Sequence, residues 1–253
     1  MNVGRVALLS VALLALAACA KTNDPGYQGW VEADLIFVSP DEVGRVETLS
    51  VREGDTVEKG APLFTVDPDL QQADVEMAKA SVTNATQAYE RAQTLLKTLA
   101  GTPKTVEDAE ATLRTAQARL ASAQTRLARR KASSPVTGSV QQIYYRPGEL
   151  VPAGRPVVSL LPPGNIKIRF FVPETVLPSV TLGEAVTVHC DGCKTDVTAK
   201  VTFISRTSEF TPPVIYSLDE RSKLVFLIEA RTDTPGELRV GQPVDVRFSE
   251  FRK

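Results

Sequence analysis

The residue types best able to do chemistry cluster in one short run, His189-Cys190-Asp191-Gly192-Cys193. Zinc takes four nitrogen, sulfur or oxygen ligands, with Cys and His dominating structural sites. The chain has 3 Cys and 1 His in total, so no second Cys or His pair exists to complete such a site. His189 and Cys190 are neighbours, so on a strand their side chains point to opposite faces. Asp191-Gly192 is a two-residue hairpin signal between Val186-Thr187-Val188 and Val197-Thr198-Ala199. Cys190 and Cys193 would then face each other with Cα atoms about 5.5 Å apart, which a disulfide accepts. In an oxidising compartment this favours a structural disulfide, with redox catalysis, a metal and free thiols as the alternatives.

Elsewhere there is no Ser-His-Asp set in a plausible context and no phosphate loop. The chain therefore reads as a protein that is not an enzyme and has no cofactor. Asp67 and Asp69, either side of Pro68, read as the N-cap and first-turn acids of a helix, and Asp219-Glu220-Arg221 as a solvated loop. The formal net charge of -1 gives no argument for a nucleic-acid partner.

The elements that frame these residues are legible from periodicity. Val75, Ala78, Val82, Ala85, Tyr89, Ala92, Leu96 and Leu99 recur at three-four spacing. So do Val106, Ala109, Leu113, Ala116, Leu120, Ala123 and Leu127. Each stripe is a coiled-coil seam in which Ala lets two helices approach closely. The break at Gly101-Thr102-Pro103 is short, so the helices fold back antiparallel. Arms of about 30 residues predict a hairpin about 45 Å long at 1.5 Å per residue. Its outer faces are polar, so it is a spacer or a partner-binding arm.

The flanks of this hairpin repeat each other. Val43-Gly44-Arg45-Val46, Gly54-Asp55 and Gly60-Ala61-Pro62 before it correspond to Thr137-Gly138-Ser139-Val140, Gly148-Glu149 and Gly154-Arg155-Pro156 after it, at a constant offset. An internal repeat of this kind decides architecture, and Gly29 to Val38 reads as a strand leading into its first half. Neither half has enough strands to close a core, so the two pair into one β-sandwich with the arm emerging between them. From Asn165 onward the pattern is β: Ile166, Ile168, Phe170 and Val172 alternate with Lys167, Arg169 and Phe171. Leu182-Gly183-Glu184 and Val240-Gly241-Gln242 each feed a strand, which suggests a small closed barrel.

Residues 1–18 read as a targeting segment: one charge, Arg5, precedes an apolar run too short to span a bilayer. The run ends Leu16-Ala17-Ala18-Cys19, which resembles a bacterial lipoprotein lipobox. That resemblance implies cleavage before Cys19 and acylation of its thiol, hence an exported, membrane-tethered protein. An ordinary secretory signal with a chance Cys is the alternative.

The order of motifs carries a wider resemblance. Gly29-x-Val31-Glu32-Ala33, Val43-Gly44-Arg45-Val46, Gly54-Asp55-x-Val57-x-x-Gly60-x-Pro62-Leu63, a coiled-coil insertion and Ser134-Pro135-x-x-Gly138-x-Val140 together resemble the HlyD-type periplasmic adaptors, or membrane fusion proteins. The resemblance implies a mainly β protein with an inserted α-helical hairpin. Its parts would be a signal peptide (1–18), a lipid-anchored tether and leading strand (19–37), a lipoyl-like domain in two halves (38–67 and 132–163), the hairpin (68–131) and a β-barrel domain (164–253). It implies a periplasmic protein of a Gram-negative bacterium, anchored by lipid with the inner membrane favoured. Its partners would be an inner-membrane transporter, a TolC-type outer-membrane channel and other copies of itself in a ring, hexameric by that resemblance. Ser208–Tyr216 and Arg221–Phe226 resemble the adaptors of ABC-type exporters. In many members that meet the channel the tip resembles Arg-x3-Leu-x6-Ser, and Arg91, Leu95 and Thr102 match it with Thr in the Ser place. The bland alternative makes Arg91 a solvated face and Leu95 a neighbour of the seam.

Two rival readings remain. A lipoyl-like sandwich could be a carrier domain of an acyl-transfer enzyme, but the whole arm stands where such carriers present their Lys. A membrane-tethered binding protein without a transport role is the other.

Overall fold

In the computed structural model, residues 26–193, 195–210, 224–232 and 238–248 are described. Cys19 and the targeting segment lie outside them, as do residues 211–223 of the stretch that resembles ABC-exporter adaptors. The chain forms two compact units, one of Ala33–Asn165 and one made by the chain before Ala33 together with the chain from Ile166 on. The described residues are mostly β with two α-helices, and neither helix is long and apolar enough to cross a membrane.

The first unit holds a sandwich built from β2 (Ile36–Val38), β3 (Gly44–Leu49), β4 (Thr56–Val57), β5 (Pro62–Val66), β6 (Lys131–Ser133), β7 (Gly138–Ile143), β8 (Leu150–Val151) and β9 (Val158–Leu161). Its two sheets run β2-β9-β7-β4 and β6-β5-β3-β8. Each sheet takes two strands from either side of the arm, so neither half can close alone. The repeat is visible bond by bond. Val46 N–H donates to Glu149 O (2.9 Å) and Gly148 N–H to Val46 O (2.8 Å); the counterparts are Val140 N–H to Asp55 O (2.8 Å) and Gly54 N–H to Val140 O (2.9 Å). Asp55 and Glu149 close equivalent turns by accepting from Arg52 N–H (2.8 Å) and Arg146 N–H (3.0 Å). Those turns need the left-handed backbone of Gly54 (φ 91) and Gly148 (φ 95). Val46, Leu63, Phe64, Val66, Val140, Val151, Val157, Val158 and Leu160 form the shared core.

Between β5 and β6 run α1 (Asp69–Lys97) and α2 (Pro103–Ala128), packed on one another along their length. Burial follows the expected seam, deepest at Val75, Ala85, Ala116 and Ala123. Small residues let the helices approach, and Ala85, Ala116 and Ala123 are buried with Val75, while the other seam residues up to Leu96 and from Val106 on are half-buried. The first helix starts differently from expectation. Pro68, not Asp67, holds the N-cap position and makes no side-chain cap; the Asp67 carboxylate instead accepts the Asp69 N–H at 3.0 Å. Exposed ion pairs such as Glu76–Lys79 lace the outer faces. Lys79 holds the Glu76 carboxyl below the usual carboxylate range, first by hydrogen bond and then by charge.

The second unit is a closed six-stranded barrel, β1-β10-β13-β12-β11-β14, with β1 (Tyr27–Ala33), β10 (Ile166–Pro173), β11 (Ala185–His189), β12 (Val197–Phe210), β13 (Leu224–Arg231) and β14 (Pro243–Phe248). The strict alternation along β10 puts Ile166, Ile168, Phe170 and Val172 inside. Here the structure departs from the expected leading strand over Gly29–Val38. That stretch is two strands, and the first, β1, pairs with β14 from Tyr27↔Val246 to Trp30↔Pro243 and closes the barrel. A barrel with five strands would leave an open edge of unpaired backbone groups, and β1 removes it.

Candidate functional site

Two places in the chain carry the residues with functional promise: the arm's tip and the turn at the end of β11. At the tip, α1 stops at Lys97 and the chain closes in a Schellman motif. Ala100 N–H donates to Leu95 O (2.9 Å) and Leu99 N–H to Leu96 O (3.1 Å). Glycine usually occupies the left-handed position of that motif; here it is Leu99, at φ 61. This overturns the place of Leu99 in the seam. The residue is 93% exposed, because the helix has already ended and the reversed backbone turns its side chain away from α2.

Thr102 caps α2. Its hydroxyl accepts from Thr105 N–H (3.3 Å), while the Thr105 hydroxyl accepts from Thr102 N–H (3.3 Å), a reciprocal capping box with Pro103 at the first helical position. The hydroxyl matched to the tip motif is therefore engaged in holding the helix start. Arg91 and Leu95 lie one turn apart on the exposed side of α1 and line a shallow groove with Gln87, Glu90 and Thr94. Leu95 is 50% exposed, and Arg91 makes no ion pair or side-chain hydrogen bond among the described residues. With Leu99 they give the far end of the arm two exposed leucines and an arginine. Sequence periodicity missed Leu99 as a surface residue; its signal was the Gly two positions later, which marks the turn without saying which residue reverses.

At the end of β11, Cys190 and Cys193 are joined in a disulfide with Cα atoms 5.5 Å apart. Cys193 N–H donates to Cys190 O at 3.1 Å, and Gly192 has the positive φ (85) that the third position of a type II turn requires. The ladder, however, begins only at Val188↔Val197. Asp191-Gly192 thus sits in a turn at the start of a longer loop and does not by itself connect the strands. Cys190 is buried at 2% exposure while His189 is exposed and pairs with Asp196 (Nδ1 to Oδ1 2.7 Å), so the neighbours take opposite faces. A bridged pair with one buried and one half-buried cysteine, beside an exposed imidazole, is suited to fastening a turn.

Comparison with known proteins agrees with this architecture. Residues 36–161 match the family described as "RND MFP, barrel-sandwich hybrid domain". The membrane fusion protein Spr0693 from Streptococcus pneumoniae R6 superposes with a TM-score of 0.69 at 18% identity, over 89% of this chain and 98% of that one. A MacA-MexA chimera containing the Pseudomonas aeruginosa MexA α-hairpin domain gives 0.71 at 21% identity, over 87% and 76%. The fold is that of the membrane fusion proteins. A UPF0194 membrane protein of the asrC 5' region in Acidithiobacillus ferridurans is 32% identical over 117 residues, which is 46% of this chain. The matched stretch spans 35–36% of the length of such curated relatives.

Proposed function

We propose that the protein is a periplasmic adaptor that links an inner-membrane transporter to an outer-membrane channel of the TolC type, and that it works by shape and not by catalysis. The observation that carries this reading is a sandwich whose two sheets are each completed across an inserted hairpin, matched over residues 36–161 to a membrane fusion protein domain. In this reading the modules are those expected from the sequence: signal peptide 1–18, tether from Cys19, split lipoyl-like domain, arm and barrel. Acylated Cys19 tethers the chain to the inner membrane, the sandwich packs into a ring of copies, and the tip with Arg91, Leu95 and Thr102 reaches the channel. The Cys190–Cys193 disulfide is a structural staple.

An ABC-type transporter is favoured by the resemblance of Ser208–Tyr216 and Arg221–Phe226 to the adaptors of such exporters. An RND-type transporter is the second reading, favoured by the description of the matching domain. Affinity purification of the full chain from detergent-solubilised envelopes, with mass spectrometry of what accompanies it, separates them. ATP-binding subunits are expected, together with an outer-membrane channel and an acylated Cys19; a preparation containing neither transporter nor channel overturns the adaptor reading.

A further inference from the structure

The base of the arm holds a cation whose position the seam and the sandwich core leave unexplained. Arg130, the second residue after α2, is only 7% exposed. Burying a guanidinium is costly without compensating partners, and no carboxylate lies within ion-pair distance of it among the described residues. Its Nη1 donates instead to two backbone carbonyls of the β2–β3 loop, Val43 O at 3.1 Å and Glu42 O at 3.4 Å. Its Nε has no partner. Gly44 faces it: a Cβ there would stand 2.3 Å from Val66 Cγ1 of the core, and 3.1 Å and 3.3 Å from Arg130 Nη1 and Nη2, so the glycine leaves room for both side chains.

The same loop is held from both helices. Glu42 accepts from the Gln71 side chain of α1 at 2.8 Å, and Asp41 pairs with Arg129 at 3.0 Å. The Arg130 carbonyl accepts Val66 N–H at 2.8 Å, and Asp67 N–H donates to Arg45 O at 2.9 Å, so both chain crossings into the arm are bonded to sandwich strands. Of these contacts the Arg129–Asp41 pair is open to water, with side chains 65% and 59% exposed, and such pairs contribute little. The Arg130 guanidinium is the buried cation of the pair, and one of its nitrogens, Nη1, reaches both loop carbonyls.

We infer that Arg130 is a positioning residue that fixes the direction in which the arm leaves the sandwich, by locking the Pro40–Val43 loop to the end of α2. An arm about 40 Å long, at 1.5 Å per residue, converts a 10° tilt at its base into a shift of about 7 Å at its tip. A tip contact made by a few side chains requires a firmer base than that. The functional part of this inference rests on the adaptor reading; the structural part does not.

The test is pulsed electron–electron resonance on the full mature chain carrying spin labels at Asn84→Cys in the arm and Lys59→Cys in the sandwich, the acylated Cys19 and the Cys190–Cys193 disulfide leaving no other reactive thiol. The parent should give one narrow distance distribution. Arg130→Met keeps the buried stem and removes the fork; it should at least double the width, with helix content by circular dichroism unchanged. Arg130→Lys, which keeps a charged nitrogen able to donate to both carbonyls, should broaden it less than Arg130→Met, whereas Arg129→Met should leave it narrow. A distribution as narrow as the parent's in Arg130→Met overturns the inference. Unfolding of both Arg130 variants also overturns it, because the residue would then serve folding and not arm direction. The readout needs no export, so loss of the adaptor reading and loss of this inference are distinguishable.

Discussion

Leu99 offers a perturbation whose two effects have opposite signs. The residue holds a left-handed backbone, φ 61, at a position where glycine is unstrained. For a non-glycine residue that conformation costs about 1–2 kcal/mol, part of which glycine returns through its greater freedom in the unfolded chain, about 0.5–1 kcal/mol. Leu99→Gly should therefore stabilise the arm by roughly 0.5–1 kcal/mol. At 93% exposed, the side chain gives the free arm almost nothing to lose. If the tip docks on a channel, however, that leucine has nearly all its apolar surface left to bury, worth about 1.5–3 kcal/mol. Its loss weakens docking by about 10- to 150-fold, at 1.4 kcal/mol per decade. Urea unfolding followed at 222 nm reads the first effect; recovery of the outer-membrane channel on the full chain from solubilised envelopes reads the second. A less stable arm would refute the strain argument, and unchanged channel recovery would refute the role of Leu99 as a contact.

Leu95→Asp, at a half-exposed position, should reduce channel recovery through a desolvation cost of about 1–3 kcal/mol at the contact while leaving the hairpin's dichroism intact. Leu113→Asp places the same charge in the seam and should unwind the arm, which dichroism alone will detect. Cys190 and Cys193 should resist thiol labelling before reduction in protein from the periplasm, and Cys193→Ala should cost only about 2 kcal/mol by urea titration, because the closed loop is so short. Gly138→Ala should destabilise the sandwich by about 1–3 kcal/mol, since the new Cβ would stand 2.5 Å from Leu161 O, a backbone atom that cannot turn away.

Most of the architecture was written in spacing. The offset between Gly54-Asp55 and Gly148-Glu149 is a repeat of turn chemistry, and turn chemistry survives in sequence because few residues satisfy it. The seam of the arm was legible for the same reason, one residue per turn facing its partner. What escaped lies where periodicity ends. Leu99 continues the spacing of the seam, but the helix stops two residues earlier, and nothing in the stripe itself marks that end. Gly29 to Val38 reads as one apolar strand, yet its first half pairs with β14, more than two hundred residues away, a contact that local pattern cannot announce. Thr102 fits a tip motif by spacing and a capping box by chemistry, and the box depends on Thr105, which the motif ignores. Arg130 stands beside Arg129 in the sequence, and nothing in the spacing separates the buried guanidinium from the exposed one.

The central claim, that the arm's tip meets an outer-membrane channel, is open to direct measurement in living cells. A photoreactive benzoylphenylalanine placed at exposed Ala100, next to Leu99, would be irradiated in the native envelope and its adducts identified by mass spectrometry. The account predicts a principal adduct with an outer-membrane channel protein, lost in Leu99→Gly. Adducts confined to other copies of this chain, or to inner-membrane proteins, would contradict it.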